Sequence, residues 1–340
     1  MITDITVKAY KTIDNETICF KPLTIVAGPN SVGKSSLLQA LMVGSLGENH
    51  NIEIIEDYSK YEIVFNRNLQ DQPIVITIHD NNHERITELK EKENNWPLTM
   101  PLRKLEENFF ILAANRNTIN RYERIPDKTI KYGINGQYAV GTFYVYRDKM
   151  LHPNLKNPMA DSMTLKSQLA WWLSFITDNE CKFTTTKIDS NTVQVLFSQN
   201  DMEDIDPNNI GTGYNYLVKL LIVCLLAKPD DIIVIENPEI HLHPKAQSKL
   251  GKFFAFVAKA GIQLIMETHC EHLIDGIRYE VFKQNLESKN VCILYKQSTD
   301  KHFKYIGLQK QGYYCDINEE ICNFPDGFFD ATLQELLEMS

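Results

Sequence analysis

Apolar and polar residues alternate along residues 3–27, "TDITVKAYKTIDNETICFKPLTIVA", and the alternation closes on an unbroken apolar run before a glycine. A period of two marks half-buried strands, so this stretch predicts two or three short strands, the last fully buried. Residues 36–46, "SLLQALMVGSL", put Leu37, Leu38, Leu41 and Met42 at helical spacing and predict a helix packed on a sheet. Further on, "YEIVF" (61–65) and "PIVITIH" (73–79) read as strands of a small sheet. "KEKENNWP" (90–97) reads as a solvated loop and "NFFILAA" (108–114) as another buried strand. Residues 164–177, with Trp171 and Trp172, suit an amphipathic helix. "KFTTTKI" and "TVQVLFS", joined through Asp189-Ser190-Asn191, suit a hairpin.

From residue 210 the rhythm changes. Helices are expected over 214–227, 244–259 and 271–286, and apolar strands over 232–235, 262–266 and 291–295. Apolar strands alternating with helices imply a mostly parallel sheet covered on both faces. The two ends of the chain are therefore expected to build one core, with the middle inserted as an arm or lid.

The chemistry enters where these elements meet. Gly28-Pro29-Asn30-Ser31-Val32-Gly33-Lys34-Ser35, followed by Ser36, has the spacing G-x-x-x-x-G-K-[ST] and lies between a buried strand and a helix. The glycines let the backbone turn tightly, so that its N–H groups, with the helix dipole, face phosphate oxygens. Lys34 is placed to reach the outer phosphates, and the Ser35 hydroxyl to bind Mg²⁺. In "DDIIVIENPEIHLHP" (230–244) a buried strand ends on Glu236, a carboxylate positioned to hold Mg²⁺ or its waters. "GIQLIMETHCEHL" (261–273) ends a second buried strand on Thr268-His269, where an imidazole suits sensing of a terminal phosphate. "NIGTGYNYLVKLL" (209–221) is a glycine turn opening a helix, an anion site in type. His241 and His243 lack a third ligand at metal spacing and suit packing around the helix start at Pro244.

Composition narrows the partners. The 340 residues, 43% hydrophobic and 23% charged, are those of a soluble globular chain. A net charge of −9 excludes a surface that is basic all round. The one basic, aromatic-interleaved stretch is 116–132, with Arg116, Arg121, Tyr122, Arg124, Lys128, Lys131 and Tyr132, which reads either as a nucleic-acid grip or as a solvated loop. Seven scattered cysteines without a C-x-x-C pair point to reduced thiols. No apolar signal core opens the chain, and the longest apolar run, Leu220 to Ala227, is short of the roughly 20 residues a membrane span needs. A cytoplasmic protein is expected.

Together, "ITVKAYKTI", "FKPLTIVAGPNSVGKSSLLQALM", "GTGYNYLVKLL", "IVIENPEIHLHPKAQ", "ETHCEHLIDGI" and the closing "ICNFPDGFFDATLQELLE" resemble the ABC-type ATPases of the SMC, RecF and OLD-like group. They are similar in particular to compact bacterial AAA-type ATPases of anti-phage defence and DNA-maintenance operons. The resemblance covers roughly 1–45 and 205–335. It implies an α/β fold, an ABC-type P-loop NTPase head with a mostly parallel core sheet, an antiparallel N-terminal β subdomain and a mixed α/β middle insertion. One ATPase domain is expected, with an N-terminal lobe (1–110), the insertion (111–205) and a C-terminal lobe (206–340). It implies ATP and Mg²⁺ as cofactors, bound through Gly28, Gly33, Lys34, Ser35, Glu236 and His269. It also implies a head-to-tail dimer in which Gly211 and Gly213 cap the partner's nucleotide.

Two departures stand out. Gly211 replaces the usual signature serine, and Asn237 stands where the catalytic glutamate is usual. An amide orients water but takes no proton from it, which leaves Glu239 as the candidate base or points to slow turnover. Long coiled-coil heptads and an acidic nuclease cluster are missing from the chain. The expected function is an ATPase subunit that controls a separately encoded effector, a nuclease or toxin. The alternatives are a RecF-like DNA-binding ATPase and a nucleotide-binding scaffold that does not hydrolyse.

Overall fold

The alternation near the N-terminus becomes three strands, Ile2–Tyr10, Ile13–Cys19 and Leu23–Ala27. The computed structural model describes residues 1–46, 61–69, 72–81, 83–89, 101–126, 132–325 and 328. Two compact units emerge. One comprises Met1–Leu105, Glu267–Glu271 and Glu287–Ser340, the other Glu106–Met266 and His272–Leu286.

In the first unit an antiparallel sheet runs in the order Ile13–Cys19, Ile2–Tyr10, Ile74–Asp80, Glu84–Leu89. Its register aligns Ile5 with Ile18 and Ile78, and Val7 with Ile76, so one face is apolar and buried. Leu23–Ala27 pairs in parallel with Val291–Tyr295, and both strands are buried along their whole length. Lys304–Leu308 and then Tyr314–Cys315 extend this sheet antiparallel. The helix Lys34–Leu46 buries 11 of its 13 residues, so it is enclosed rather than half-solvated.

In the second unit Phe109–Leu112 runs parallel to Ile232–Glu236, with Leu112 opposite Ile235. Gln263–Glu267 lies on the other side, its Gln263 N–H donating to Asp231 O. The helix Thr212–Leu226 leads into Ile232–Glu236, and Pro244–Lys259 connects that strand to Gln263–Glu267. A second sheet centres on the hairpin Cys181–Lys187 and Thr192–Gln199, with Tyr122–Arg124 and Met202–Ile205 against Thr192–Gln199. The helix Leu165–Thr177 packs Trp172 on Phe253 and Phe256, at ring distances of 4.9 and 5.0 Å.

Three expectations change. "YEIVF" is not a strand: Tyr61–Val64 is a helical turn, because Tyr61 and Phe65 stack at 5.8 Å, a contact that helical spacing provides and strand spacing does not. The helix expected to reach Leu286 ends at Phe282, stopped by the left-handed Gln284 (φ 59). The strand Glu84–Leu89 is additional to the elements expected. "KEKENNWP" and most of the closing "ICNFPDGFFDATLQELLE" lie outside the described residues. All seven cysteines are free, five of them buried. Among the described residues no helix is long and apolar enough to cross a membrane.

Candidate nucleotide site

In the first unit the buried strand Leu23–Ala27 runs straight into the glycine loop, and the helix begins at Lys34. Gly28, Ser31 and Gly33 all have positive φ (143, 63 and 109), which turns successive N–H groups toward the loop's interior. At Gly28 a Cβ would collide with the Lys296 carbonyl oxygen, so only glycine fits. Pro29, Asn30 and Ser31 are exposed at the loop's mouth, whereas Val32, Gly33, Lys34 and Ser36 are buried.

The Lys34 ammonium, 3% exposed, donates to the Pro29 carbonyl at 2.5 Å and lies 3.7 Å from Glu267 Oε1. Burial pushes its pKa down, and the Glu267 carboxylate opposes that shift. Ser35 Oγ donates to Glu267 Oε2 at 2.9 Å. Glu267 ends the strand Gln263–Glu267, and the next residue, Thr268, donates its N–H to Val26 O at 3.1 Å. His269 follows against the loop. Burial and the Lys34 charge lower its pKa, while a hydrogen bond to the Gly28 backbone works the other way, so the imidazole is neutral at pH 7.

In the second unit Glu236 ends its strand, with Oε2 accepting from the Ala114 N–H at 3.0 Å. Asn237 is left-handed (φ 43), a conformation that asparagine tolerates better than glutamate. The Arg116 guanidinium, 2% exposed, donates to Glu236 O at 2.9 Å and Asn237 O at 2.8 Å. Glu239 lies within its field. His241 packs on the Tyr216 ring at 5.3 Å, and His243 caps the helix Pro244–Lys259, Nδ1 accepting from the Lys245 N–H at 3.4 Å. Both histidines therefore do structural work. Gly211 is the exposed N-cap of Thr212–Leu226, while a Cβ on Gly213 would lie 2.5 Å from His241 O.

Thus the loop residues and His269 gather in one unit, and Gly213, Glu236, Asn237 and Glu239 in the other. Glu267 is not singled out by the sequence, and Arg116 is read there in another role. Glu267 carries the same signal as Glu236, an acid closing an apolar strand, but stands directly before the more conspicuous Thr268-His269. Arg116 was grouped with the basic stretch 116–132, and the structure removes it from that surface. Arg116 and Tyr132 are buried (2% and 4% exposed), Arg121, Tyr122 and Arg124 are exposed, and Lys128 and Lys131 lie outside the described residues.

The donors fit a metal-bound triphosphate: loop N–H groups and an ammonium for phosphate oxygens, the Ser35 hydroxyl and a carboxylate for a hydrated divalent cation. Among the described residues no group of three or more His, Cys, Asp or Glu side chains is placed to cage a metal by itself. Such a loop, on a buried strand leading into a helix of an α/β core, defines a P-loop nucleotide-binding head. The chain belongs to the AAA ATPase domain family, whose model matches residues 1–140 and 148–274. It is a P-loop ATPase, and ATP is its nucleotide. No curated protein matches it. Among solved structures it is similar to the SMC head domain from Thermotoga maritima, with 13% identity and a TM-score of 0.51 over 91% of this chain and 99% of that one. It is also similar to an SMC head bound to the C-winged helix domain of ScpA, with 12% identity and a TM-score of 0.53 over 91% and 98%. At these identities the likeness is one of fold.

Proposed function

We propose that this chain is an ATP-hydrolysing regulatory subunit that pairs head to tail on ATP and controls a separately encoded effector, a nuclease or toxin, in bacterial anti-phage defence. The observation that carries the ATP reading is the Lys34–Glu267–Ser35 cluster at the base of a loop with three positive-φ residues. Lys34, beside Glu267, would hold the outer phosphates, and the Ser35 hydroxyl would hold the metal ion. Glu236 would hold the metal ion or its waters in this proposal. Bound Mg²⁺ supplies positive charge to the phosphate oxygens. Asn237 orients the attacking water, Glu239 takes its proton, and neutral His269 donates an N–H toward the terminal phosphate. Slow turnover follows from an amide at position 237.

The exposed helix start at Gly211 supports head-to-tail pairing, since it offers N–H groups and a positive dipole end to a second copy's phosphate. Control of a separate protein rests on the sequence resemblance, together with the solved SMC head that carries a ScpA domain. Calorimetry with ATP and Mg²⁺ tests the binding step. Lys34→Ala is expected to weaken ATP binding at least about tenfold, the range for a charged hydrogen-bond donor. Unchanged affinity would end this reading. For the effector step, co-expression with the neighbouring gene product should yield a complex whose activity changes on ATP addition. An effector indifferent to Lys34→Ala would remove that part.

A second reading, a DNA-binding ATPase of repair or replication, keeps one observation. Tyr122 is 54% exposed between exposed Arg121 and Arg124. Asp206 already pairs with Arg121 at 3.5 Å, which weakens that patch. DNA binding lost on reversing both arginines would favour this reading.

A further inference from the structure

The turn after the Glu236 strand is held in an unusual way. In an extended strand successive carbonyls point to opposite sides. Glu236 O and Asn237 O nevertheless converge on one guanidinium, because the left-handed Asn237 (φ 43) rotates the peptide between them. The next residue is Pro238, which has no N–H to donate, and within the turn Asn237 O accepts only a long bond from the Ile240 N–H, at 3.3 Å. Arg116 and Ala114 both follow the strand Phe109–Leu112, which runs parallel to Ile232–Glu236 and leaves the sheet at the same edge. One segment therefore fixes the turn at three points: the Glu236 carboxylate by the Ala114 N–H, and two backbone carbonyls by Arg116.

We infer that Arg116 is the positioning residue for hydrolysis, a buried fork that sets where the Glu236 carboxylate, the Asn237 amide and Glu239 point, and that Tyr216 ties this fork to the helix led by Gly211. The Arg116 guanidinium lies 5.7 Å from the Tyr216 ring, and that ring packs on His241, which follows the same turn. Tyr216 stands on the helix Thr212–Leu226, so a ligand arriving at the Gly211 end has a packed route to the turn. A charge this deeply buried is costly unless hydrogen-bonded or paired, and here the two carbonyls and the nearby Glu239 meet that need while burial lowers the Arg116 pKa to about 10. Of the groups that oppose this, Glu239 is the largest, ahead of Tyr216 and Glu236. Lysine cannot replace the fork, since a point ammonium does not bridge two carbonyls in one plane.

The inference rests on the proposed hydrolysis at this chain's loop. Its test is Arg116→Lys in the full chain, with ATP affinity by calorimetry and phosphate release under single turnover. The expected result is ATP affinity within about twofold of wild type and a hydrolysis rate at least about tenfold lower, at a melting temperature close to wild type. Arg116→Ala should show the same split and regain rate with added methylguanidine. If that variant does not fold, Arg116→Lys decides alone. Tyr216→Leu should lower the rate about threefold with binding retained. Wild-type hydrolysis in Arg116→Lys overturns the inference, and so does a parallel loss of affinity, rate and melting temperature, which would mark a purely structural residue. If the wild type itself neither binds ATP nor releases phosphate, the functional reading fails instead. If Lys34→Ala is dead and Arg116→Lys is fully active, only the Arg116 inference falls.

Discussion

Gly211 and Gly213 are two positions apart and are glycine for different reasons. A Cβ on Gly213 would press on His241 O, at 2.5 Å, so packing requires its absence. At Gly211 the nearest atom would be Tyr214 Cδ2 at 3.7 Å, and φ is −56, so any residue fits. What Gly211 leaves bare is a helix start, which is useful only to something that approaches it. Gly211→Glu should therefore leave the melting temperature unchanged, as surface substitutions stay within about 0.5 kcal/mol. Its added charge should nevertheless abolish ATP-dependent pairing and slow hydrolysis. Gly213→Ala should cost about 1–3 kcal/mol of stability from overpacking. Pairing that survives Gly211→Glu would remove the anion site. His269 gives a second prediction at this scale. Its folded pKa lies below the unfolded value of about 6.5, so between the two the unfolded chain binds more protons. Stability from this group is present above that window and is lost as pH falls through it. Denaturant melts should show wild type losing stability relative to His269→Gln as pH falls through that range. The loop residues were readable because spacing and flanking elements agreed. Arg116 was not, because its meaning depends on a strand more than a hundred residues away.

Among elements, the buried strands were the most legible, since a run such as "IIVIE" has no other comfortable environment. Short mixed segments were not. "YEIVF" satisfies a strand pattern over five residues, and the turn shows only in the Tyr61–Phe65 stack and the Phe65 N–H donating to Tyr61 O at 2.9 Å. The same limit hid the contact between the helices Pro244–Lys259 and Glu271–Phe282. There a Cβ on Gly276 would run into Ser248 O and one on Gly251 into Leu273 O, so the two backbones touch. Gly276→Ala should destabilise by about 1–3 kcal/mol in denaturant melts, because neither backbone can yield without moving its helix. A neutral effect would mean that the helices slide freely.

For the whole molecule, charge decides between the two functional readings. Two copies carrying net −9 each repel at long range, and two bound nucleotides add to that. Screening shortens this repulsion, from a reach of about 30 Å at 0.01 M salt to about 8 Å at 0.15 M. In the proposed pair a helix start would meet a phosphate at close range, where salt acts less. Pairing with a non-hydrolysable ATP analogue should therefore tighten as salt rises through this range. DNA binding through Arg121 and Arg124 should behave in the opposite way, since counterion release weakens it as salt rises. One sedimentation series at increasing salt, with and without a labelled duplex, separates the two. Self-association that weakens with salt would show that opposed charge patches join the copies, and the pairing would then have to be rebuilt around them rather than around the nucleotide.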